Sequence, residues 1–137
     1  ARAWVPLLAG PLAELARKAN RRDEVRQRLE ALYAEQPCLD LLEALVSLDD
    51  APDHARARLL KHLQREPSLV AAAGWLAGES LGGEPQRAVL QRALDAAVRP
   101  LRRYRCAACG FEAKQHFWQC PGCQAWDSYP ARRIEEL

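Results

Sequence analysis

The chain has 137 residues, which is enough for one domain or for a small domain with an appendage. Hydrophobic residues make up 49% and charged residues 28%, as in ordinary globular proteins. The 20 lysines and arginines exceed the 18 acidic residues by only two, and this net charge of +2 does not by itself indicate a nucleic-acid or acidic-membrane partner. No apolar run approaches the roughly 20 residues of a membrane span.

Residues 1–100 have the spacing of amphipathic helices. We predict that the first helix begins near Pro11, because proline suits the first turn of a helix. Its inward face would consist of Leu12, Leu15, Ala16 and Ala19. Asp23 is predicted to cap the second helix, since its carboxylate can accept hydrogen bonds from a first turn. The apolar face of that helix comprises Val25, Leu29, Leu32 and Tyr33.

Prolines divide the next segment into four further helices. Pro37 precedes the third helix, Pro52 begins the fourth, Pro67 precedes the fifth, and Pro85 begins the sixth, which ends before Pro100. The inward residues are predicted to be, helix by helix, Leu39, Leu42, Leu45 and Val46; Ala55, Leu59, Leu60 and Leu63; Leu69, Ala72, Ala73 and Leu76; and Ala88, Leu90, Ala93, Leu94, Ala97 and Val98.

Part of this helical segment repeats with a period of 30 residues, the distance between Gln36-Pro37 and Glu66-Pro67. At the same offset lie the pairs Asp23 and Asp53, Arg26 and Arg56, Arg28-Leu29 and Arg58-Leu59, and Leu39 and Leu69. A single helical hairpin cannot bury its apolar face, whereas stacked hairpins can. We therefore predict a tetratricopeptide-like solenoid, with an irregular helical bundle as the alternative.

Four of the five cysteines form two Cys-x-x-Cys pairs, Cys106 with Cys109 and Cys120 with Cys123. Paired thiols at this spacing favour a bound metal over two disulfide bonds, because the adjoining helical domain does not need disulfide bonds for its stability. Each pair can turn two thiolates towards one point, so that together they would form a tetrahedral S4 site. The fifth, Cys38, follows a proline and is interpreted as a buried hydrophobic residue.

Four protein ligands leave no open coordination position, so we predict a structural site that holds one zinc ion. Iron is the alternative, because it binds the same four thiolates and because Tyr104 and Trp118 resemble the aromatic surroundings of rubredoxins. Gly110 permits the positive φ that closes such a turn, and His116 is interpreted as a surface residue. Short strands are expected around Tyr104 and Phe111, and Phe117 with Trp118 can cover the metal.

The predicted fold class is mainly α, with helical repeats at residues 1–100, a rubredoxin-like or zinc-ribbon β module at 101–130, and a tail at 131–137. Only Pro100 to Arg103 separate the sixth helix from Tyr104. This short, stiff junction predicts that the module packs against the last helical hairpin.

The sequence contains no carboxylate pair, nucleophile–base set or phosphate loop, so we predict a non-enzymatic adaptor. Arg102 and Arg103 are candidate partner-binding residues. One alternative is a nucleic-acid-binding zinc ribbon that uses Arg99, Arg102, Arg103, Arg105, Arg132 and Arg133. The low net charge and the interspersed acidic residues argue against a nucleic-acid partner. A rubredoxin-like electron carrier is the other alternative.

The C-terminal motifs resemble one known family. Tyr-Arg-Cys-x-x-Cys-Gly-Phe begins at Tyr104, Trp-x-Cys-Pro-x-Cys begins at Trp118, and a Trp-Asp-x-x-Pro tail begins at Trp126. Preceded by helical hairpins, these motifs are similar to the C-terminal part of the lipopolysaccharide assembly protein B family. One departure is Gln124, which follows Cys123 where many rubredoxin-type turns have glycine.

This resemblance implies an inner-membrane protein whose tetratricopeptide array and metal module lie on the cytoplasmic side. The membrane attachment would come from an N-terminal anchor that precedes Ala1. The implied partners are the FtsH protease, the deacetylase that commits carbon to lipid A, and inner-membrane regulators, and a homo-oligomer is possible. The implied function is an adaptor that tunes lipopolysaccharide synthesis by promoting turnover of the deacetylase.

Overall fold

The computed structural model describes residues 2–79 and 83–137. In these residues the helices are α1 (Val5–Lys18), α2 (Arg22–Glu35), α3 (Leu39–Leu48), α4 (Pro52–Arg65), α5 (Leu69–Leu76) and α6 (Glu84–Val98). A two-stranded antiparallel sheet follows, with β1 (Tyr104–Arg105) paired to β2 (Glu112–Ala113). Short 3₁₀ helices cover Arg2–Trp4, Pro100–Arg102 and Ile134–Glu136. The prediction of a mainly helical chain with a small β module is confirmed.

The predicted 30-residue repeat corresponds to repeated helices. α4 begins 30 residues after α2, and α5 begins 30 residues after α3. Pro52 and Pro85 lie at the first or second position of α4 and α6, where the missing N–H of proline has no intrahelical partner to lose. Along the described residues, no helix is both long and apolar enough to cross a bilayer.

The helices alternate in direction, as two long-range contacts indicate. Arg17 near the end of α1 donates to the carbonyl of Ser47 near the end of α3 at 3.2 Å, so α1 and α3 run parallel. Arg22 at the start of α2 lies 2.7 Å from Asp50, just after α3, so α2 runs antiparallel to them. The starts of α3 and α5 contact the adjacent residues Glu136 and Glu135, so the N-termini of α1, α3 and α5 lie along one side of the array, which we call the N-terminal edge.

The predicted packing of α1 is wrong in two respects. The helix begins at Val5, so Pro11 lies inside it and not in its first turn. Its buried side consists of Ala9, Ala13 and Ala16, whereas Leu12 and Leu15 are 40% and 62% exposed. Small side chains on the buried side let α1 pack closely along α3, where they join Leu41, Ala44, Leu45 and Leu48 in one core cluster.

The predicted helix cap and several predicted inward-facing residues lie at other positions on their helices in the structure. Asp23 lies within the first turn of α2 and pairs with Arg26 at 2.5 Å, so it does not cap the helix. Leu60, Leu69 and Leu90 were predicted to be inward, but they are 45%, 42% and 46% exposed. A periodic pattern locates an apolar face only to within one residue, and contact with the neighbouring helix decides which residue of that face is covered.

The metal module docks on α1 and α3 in addition to the predicted contact with the last hairpin, where Leu101 packs against the buried cluster that includes Val70 and Val98. Leu7 of α1 packs against the buried cluster of the module, and the Trp4 ring lies 4.6 Å from that of Trp118. On α3, the Asp40 carboxylate accepts a hydrogen bond from the Tyr104 hydroxyl at 3.2 Å. The physical reason is the alternation of helix directions, because α6 ends at the N-terminal edge, beside α1 and α3.

Arg133 in the tail joins three parts of the molecule. Its guanidinium lies 2.6 Å from Asp40, and the side chains of the two residues are 22% and 10% exposed. The same guanidinium lies 4.3 Å from the centre of the Tyr104 ring and donates to the carbonyl of Arg102 at 2.7 Å. A partly buried ion pair with a stacked aromatic ring is more geometrically specific than an exposed pair, so this contact fixes the orientation of the module.

Adjacent glutamates of the tail cap two helices. Glu136 accepts a hydrogen bond from the N–H of Leu39, at the start of α3, at 2.7 Å. Glu135 accepts from the N–H groups of Leu69 and Val70, at the start of α5, at 2.5 and 3.1 Å. The first N–H groups of a helix lack intrahelical partners, and a carboxylate also interacts favourably with the positive end of the helix dipole. The tail therefore fastens the chain end to the N-terminal edge.

Candidate metal centre

Two turns with the same backbone geometry carry the four cysteines. In the first turn, Cys106 N–H donates to the Phe111 carbonyl and Gly110 N–H donates to the Cys106 carbonyl, both at 2.9 Å. The second turn repeats both bonds, from Cys120 to Ala125 at 2.9 Å and from Gln124 to Cys120 at 2.8 Å. Each turn thus holds its two thiols on the same side of a closed loop, and the two loops face each other.

The residue after each second cysteine has a left-handed backbone. Gly110 has φ +80° and Gln124 has φ +62°. A residue with a side chain is strained there by contact of its Cβ with the following carbonyl, whereas glycine is not. The departure noted in the sequence therefore leaves the geometry of the second turn unchanged, and Gln124 adopts the backbone conformation that glycine has in the first turn.

The four sulfurs fit one tetrahedral ion. All lie within 4.8 Å of one another. The Cys106–Cys123 and Cys109–Cys120 sulfurs are 3.8 and 3.7 Å apart. Metal–sulfur bonds of about 2.3 Å place tetrahedral sulfurs about 3.8 Å apart, and a disulfide needs about 2.0 Å. The donor set could therefore hold a metal ion of the kind that prefers four thiolates, zinc or iron.

The centre is buried on one side and exposed on the other. Cys106 and Cys120, the first cysteine of each turn, are 1% and 0% exposed, whereas Cys109 and Cys123 are exposed. Cys38 lies outside this group and is 2% exposed, and burial raises the pKa of its thiol to about 11. Its interpretation as a buried hydrophobic residue is confirmed, because a thiol with this pKa stays protonated at neutral pH.

Two hydroxyl groups approach the buried sulfurs. Ser128 Oγ lies 3.2 Å from the sulfur of Cys106, and this contact is the largest influence that lowers the pKa of Cys106, to about 6. The Tyr129 hydroxyl lies 3.9 Å from the sulfur of Cys120 and donates to the Phe111 carbonyl at 3.1 Å. Sequence reasoning missed both residues, because only the folded chain brings them across 22 and 9 positions to the cysteines.

His116 lies apart from the sulfur cluster, at the junction with α1. Its Nε2 is 2.9 Å from the Tyr129 carbonyl, and its ring has aromatic neighbours between 5.1 and 5.9 Å on several sides, namely Trp4, Tyr104, Trp118 and Tyr129. The ring is half-buried, so the prediction of a surface residue is only partly right. The Trp118 ring lies against that of Trp4 at a tilt of 58° and remains 53% exposed, whereas Phe117 packs against the buried cluster that contains Cys106 and Cys120.

The candidate partner-binding arginines already have carboxylate neighbours. Arg102 pairs with Glu43 of α3 at 2.5 Å, and Arg103 lies 3.8 Å from Glu112 of β2. Arg105 also pairs with Glu112, at 2.9 Å. Together with the pairing of Arg133, these contacts neutralise much of the positive charge around the module, and a phosphate backbone would have to compete with them.

Comparison with known proteins gives two findings. Residues 104–129 match the family model described as the rubredoxin metal binding domain. The chain is 32% identical to lipopolysaccharide assembly protein B of Escherichia coli K12 over 71% of this chain and 26% of that protein, with the same values for the O157:H7 strain. The Haemophilus influenzae protein of this name is 25% identical over 64% of this chain and 23% of its own length.

These matches confirm the resemblance predicted from the sequence. The chain spans about a quarter of the length of the curated relatives that it matches.

Proposed function

Because this chain resembles the lipopolysaccharide assembly protein B family, we propose that it is the partner-binding part of a non-enzymatic adaptor in lipopolysaccharide synthesis. The adaptor would promote proteolysis, by the FtsH protease, of the deacetylase that commits carbon to lipid A. One observation supports a binding role above the others. A site closed by four sulfurs is fixed by Arg133 and Asp40 to a helical array, so module and array present one continuous surface.

In this proposal, residues 1–100 form the array, residues 101–130 the metal module and residues 131–137 the fastening tail. The ligands are Cys106, Cys109, Cys120 and Cys123, and the ion is zinc, with iron as the alternative. A module of about 30 residues has too little core to fold alone, so metal binding supplies much of its folding free energy. Its role is structural, and the chain acts on the cytoplasmic face of the inner membrane through an N-terminal anchor.

The metal is tested by elemental analysis of protein purified under reducing conditions. We expect one zinc per chain and a colourless solution, whereas a ferric S4 centre would be red. Cys106→Ser and Cys120→Ser should release the metal and unfold the module. Cys38→Ala is the matched control, because it removes a buried cysteine outside the cluster and should keep the metal. Purified protein with disulfides and no metal would contradict the assignment.

The adaptor function is tested by the half-life of the deacetylase in cells that carry variants of the full-length protein. We expect Cys106→Ser to lengthen the half-life, because the module unfolds, and Cys38→Ala to leave it unchanged. The double variant Arg102→Glu and Arg103→Glu should also lengthen the half-life of the deacetylase, while the bound metal and the helix content are retained. Reversing charges at the edge of a binding surface slows association and weakens specificity for the partner, but it does not unfold the chain. Normal turnover in cells whose variant has lost its metal would show that the module is dispensable.

A further inference from the structure

A groove of about 630 Å³ runs between the helical array and the metal module. Trp4, Leu32 and Leu41 line it on the array side, and Tyr129 and Ala131 line it on the other side. Grooves of this size between two structural units are common ligand-binding sites when apolar walls are combined with a few polar groups. The groove adjoins the sulfur cluster, because its lining includes Ser128, whose hydroxyl lies 3.2 Å from the sulfur of Cys106.

Arg132 lines this groove with its charged side chain half-buried. Within residues 2–79 and 83–137, its guanidinium takes part in no hydrogen bond or ion pair. The positive charge of Arg132 acts on the carboxylate of Glu136. That carboxylate already accepts hydrogen bonds from the N–H groups of Leu39 and Arg133, at 2.7 and 3.1 Å. The neighbouring Arg133, in contrast, is paired with Asp40.

Two acidic residues also line the groove, and they differ from Arg132 in their surroundings. Glu35 is exposed and already has an interaction within the chain, and Asp127 is exposed to solvent. A partly desolvated charge gains more from an opposite charge than an exposed one, because water screens the exposed charge. Charge complementarity at this groove is therefore determined mainly by Arg132, and it favours an anionic group next to apolar side chains.

We propose that the groove binds a short segment of a protein partner in which apolar side chains flank a carboxylate that pairs with Arg132. Planar guanidinium groups bind carboxylates with two parallel hydrogen bonds, which gives the site a specific polar anchor between apolar walls. The choice of a peptide over a fatty acid rests on the proposed adaptor function, in which the ligands of this chain are proteins.

The test is a selection of random twelve-residue peptides, displayed on phage, against the metal-loaded full chain, followed by fluorescence anisotropy with the enriched peptides. We expect the enriched peptides to combine leucine, isoleucine or aromatic residues with aspartate or glutamate. Arg132→Gln should weaken their binding about tenfold or more. Ala131→Trp, which fills the groove, should abolish binding, and circular dichroism checks that both variants remain folded.

Two control variants test whether peptide binding depends on the groove itself or only on the overall charge of the chain. Asp53→Asn removes an exposed acidic residue from α4, and Arg92→Gln removes an arginine from α6, both outside the residues that line the groove. Both should change peptide affinity less than twofold. Enriched peptides without acidic residues, affinity that is unchanged in Arg132→Gln, or binding that survives Ala131→Trp would overturn the proposal. Binding of dodecanoate to a groove that enriches no peptide would assign it to a fatty acid and overturn the peptide assignment.

The result of the peptide selection can be distinguished from the result of the deacetylase half-life assay. If the peptide selection fails while Cys106→Ser still prolongs the half-life of the deacetylase, only the groove proposal is wrong. If peptides bind as expected while cysteine variants leave that half-life unchanged, the adaptor proposal is wrong and the groove binds a segment of some other protein.

Discussion

Removing the tail carboxylates measures how strongly the C-terminus stabilises the helical array. Glu135→Ala deprives the N–H groups of Leu69 and Val70 of their acceptor, and it also removes the acceptor of the Ser68 hydroxyl at 2.7 Å. Glu136→Ala removes the acceptor of Leu39 N–H. Leu69 is 42% exposed, whereas Leu39, Val70 and Ser68 are buried, so the cost is at least that of a helix cap.

A helix cap contributes about 1 kcal/mol, with a range of about 0.5–2, and a charged acceptor lies towards the upper end. We therefore expect each single variant to lose about 1.5 kcal/mol of unfolding free energy. The unfolding entropy is about 2.1 cal/mol/K per residue, or about 0.3 kcal/mol/K for a chain of this length, so each Tm should fall by about 5 °C. If the two caps act independently, the double variant should lose about 10 °C.

Thermal unfolding of the metal-loaded chain, followed by circular dichroism, gives the Tm. Amide hydrogen exchange then reports the individual N–H groups, and protection of Leu69 and Val70 should fall in Glu135→Ala while that of Leu39 should fall in Glu136→Ala. Glu14→Ala is the control, because its exposed ion pair on α1 contributes little. An unchanged Tm together with unchanged exchange at these amides would refute the capping role of the tail.

Three further predictions concern other parts of the chain. Gln124→Gly should stabilise the metal module by about 0.5–1 kcal/mol, measured as slower metal release to a chelator, because it relieves a left-handed backbone, whereas Gln124→Ala should not. His62 lies 2.5 Å from the Tyr33 hydroxyl, and burial lowers the pKa of its imidazole. The unfolded state therefore binds a proton more readily than the folded state, so the free energy of unfolding should fall as pH drops below about 6.5. His62→Gln should flatten that dependence in urea titrations, and a variant that keeps the wild-type slope would contradict this. Arg58→Met should cost about 3 kcal/mol, because Asp49, 3% exposed, would lose its partner, and adding Asp49→Asn should restore part of the loss in the same titrations.

The sequence by itself determined the parts of this protein that depend on local spacing. Prolines and apolar periodicity located α3, α4, α5 and α6 closely, because the positions of proline in a helix are restricted by its missing N–H and fixed φ. The Cys-x-x-Cys spacing located the sulfur cluster, because two thiols three residues apart on a tight turn necessarily point to the same side. The 30-residue repeat likewise follows from matching residues at a constant offset.

Local spacing could not select among equivalent faces. The sequence could not tell that α1 buries its alanines and exposes Leu12 and Leu15, because the leucine and alanine stripes have the same helical period. Only the closeness of α1 to α3 decides between them. In the same way, the hydroxyls of Ser128 and Tyr129 reach the sulfurs through a chain reversal that no short motif encodes.

The position of the module was decided by tertiary structure alone. The short junction after α6 predicted only the contact with the last hairpin that Leu101 makes, whereas alternating helix directions also bring the end of α6 to the edge where α1 and α3 begin. There the ion pair of Arg133 with Asp40 and the caps from Glu135 and Glu136 join residues 65 to 97 positions apart. Such contacts depend on where whole helices end in space, because each partner is an ordinary surface charge until the array places the two together.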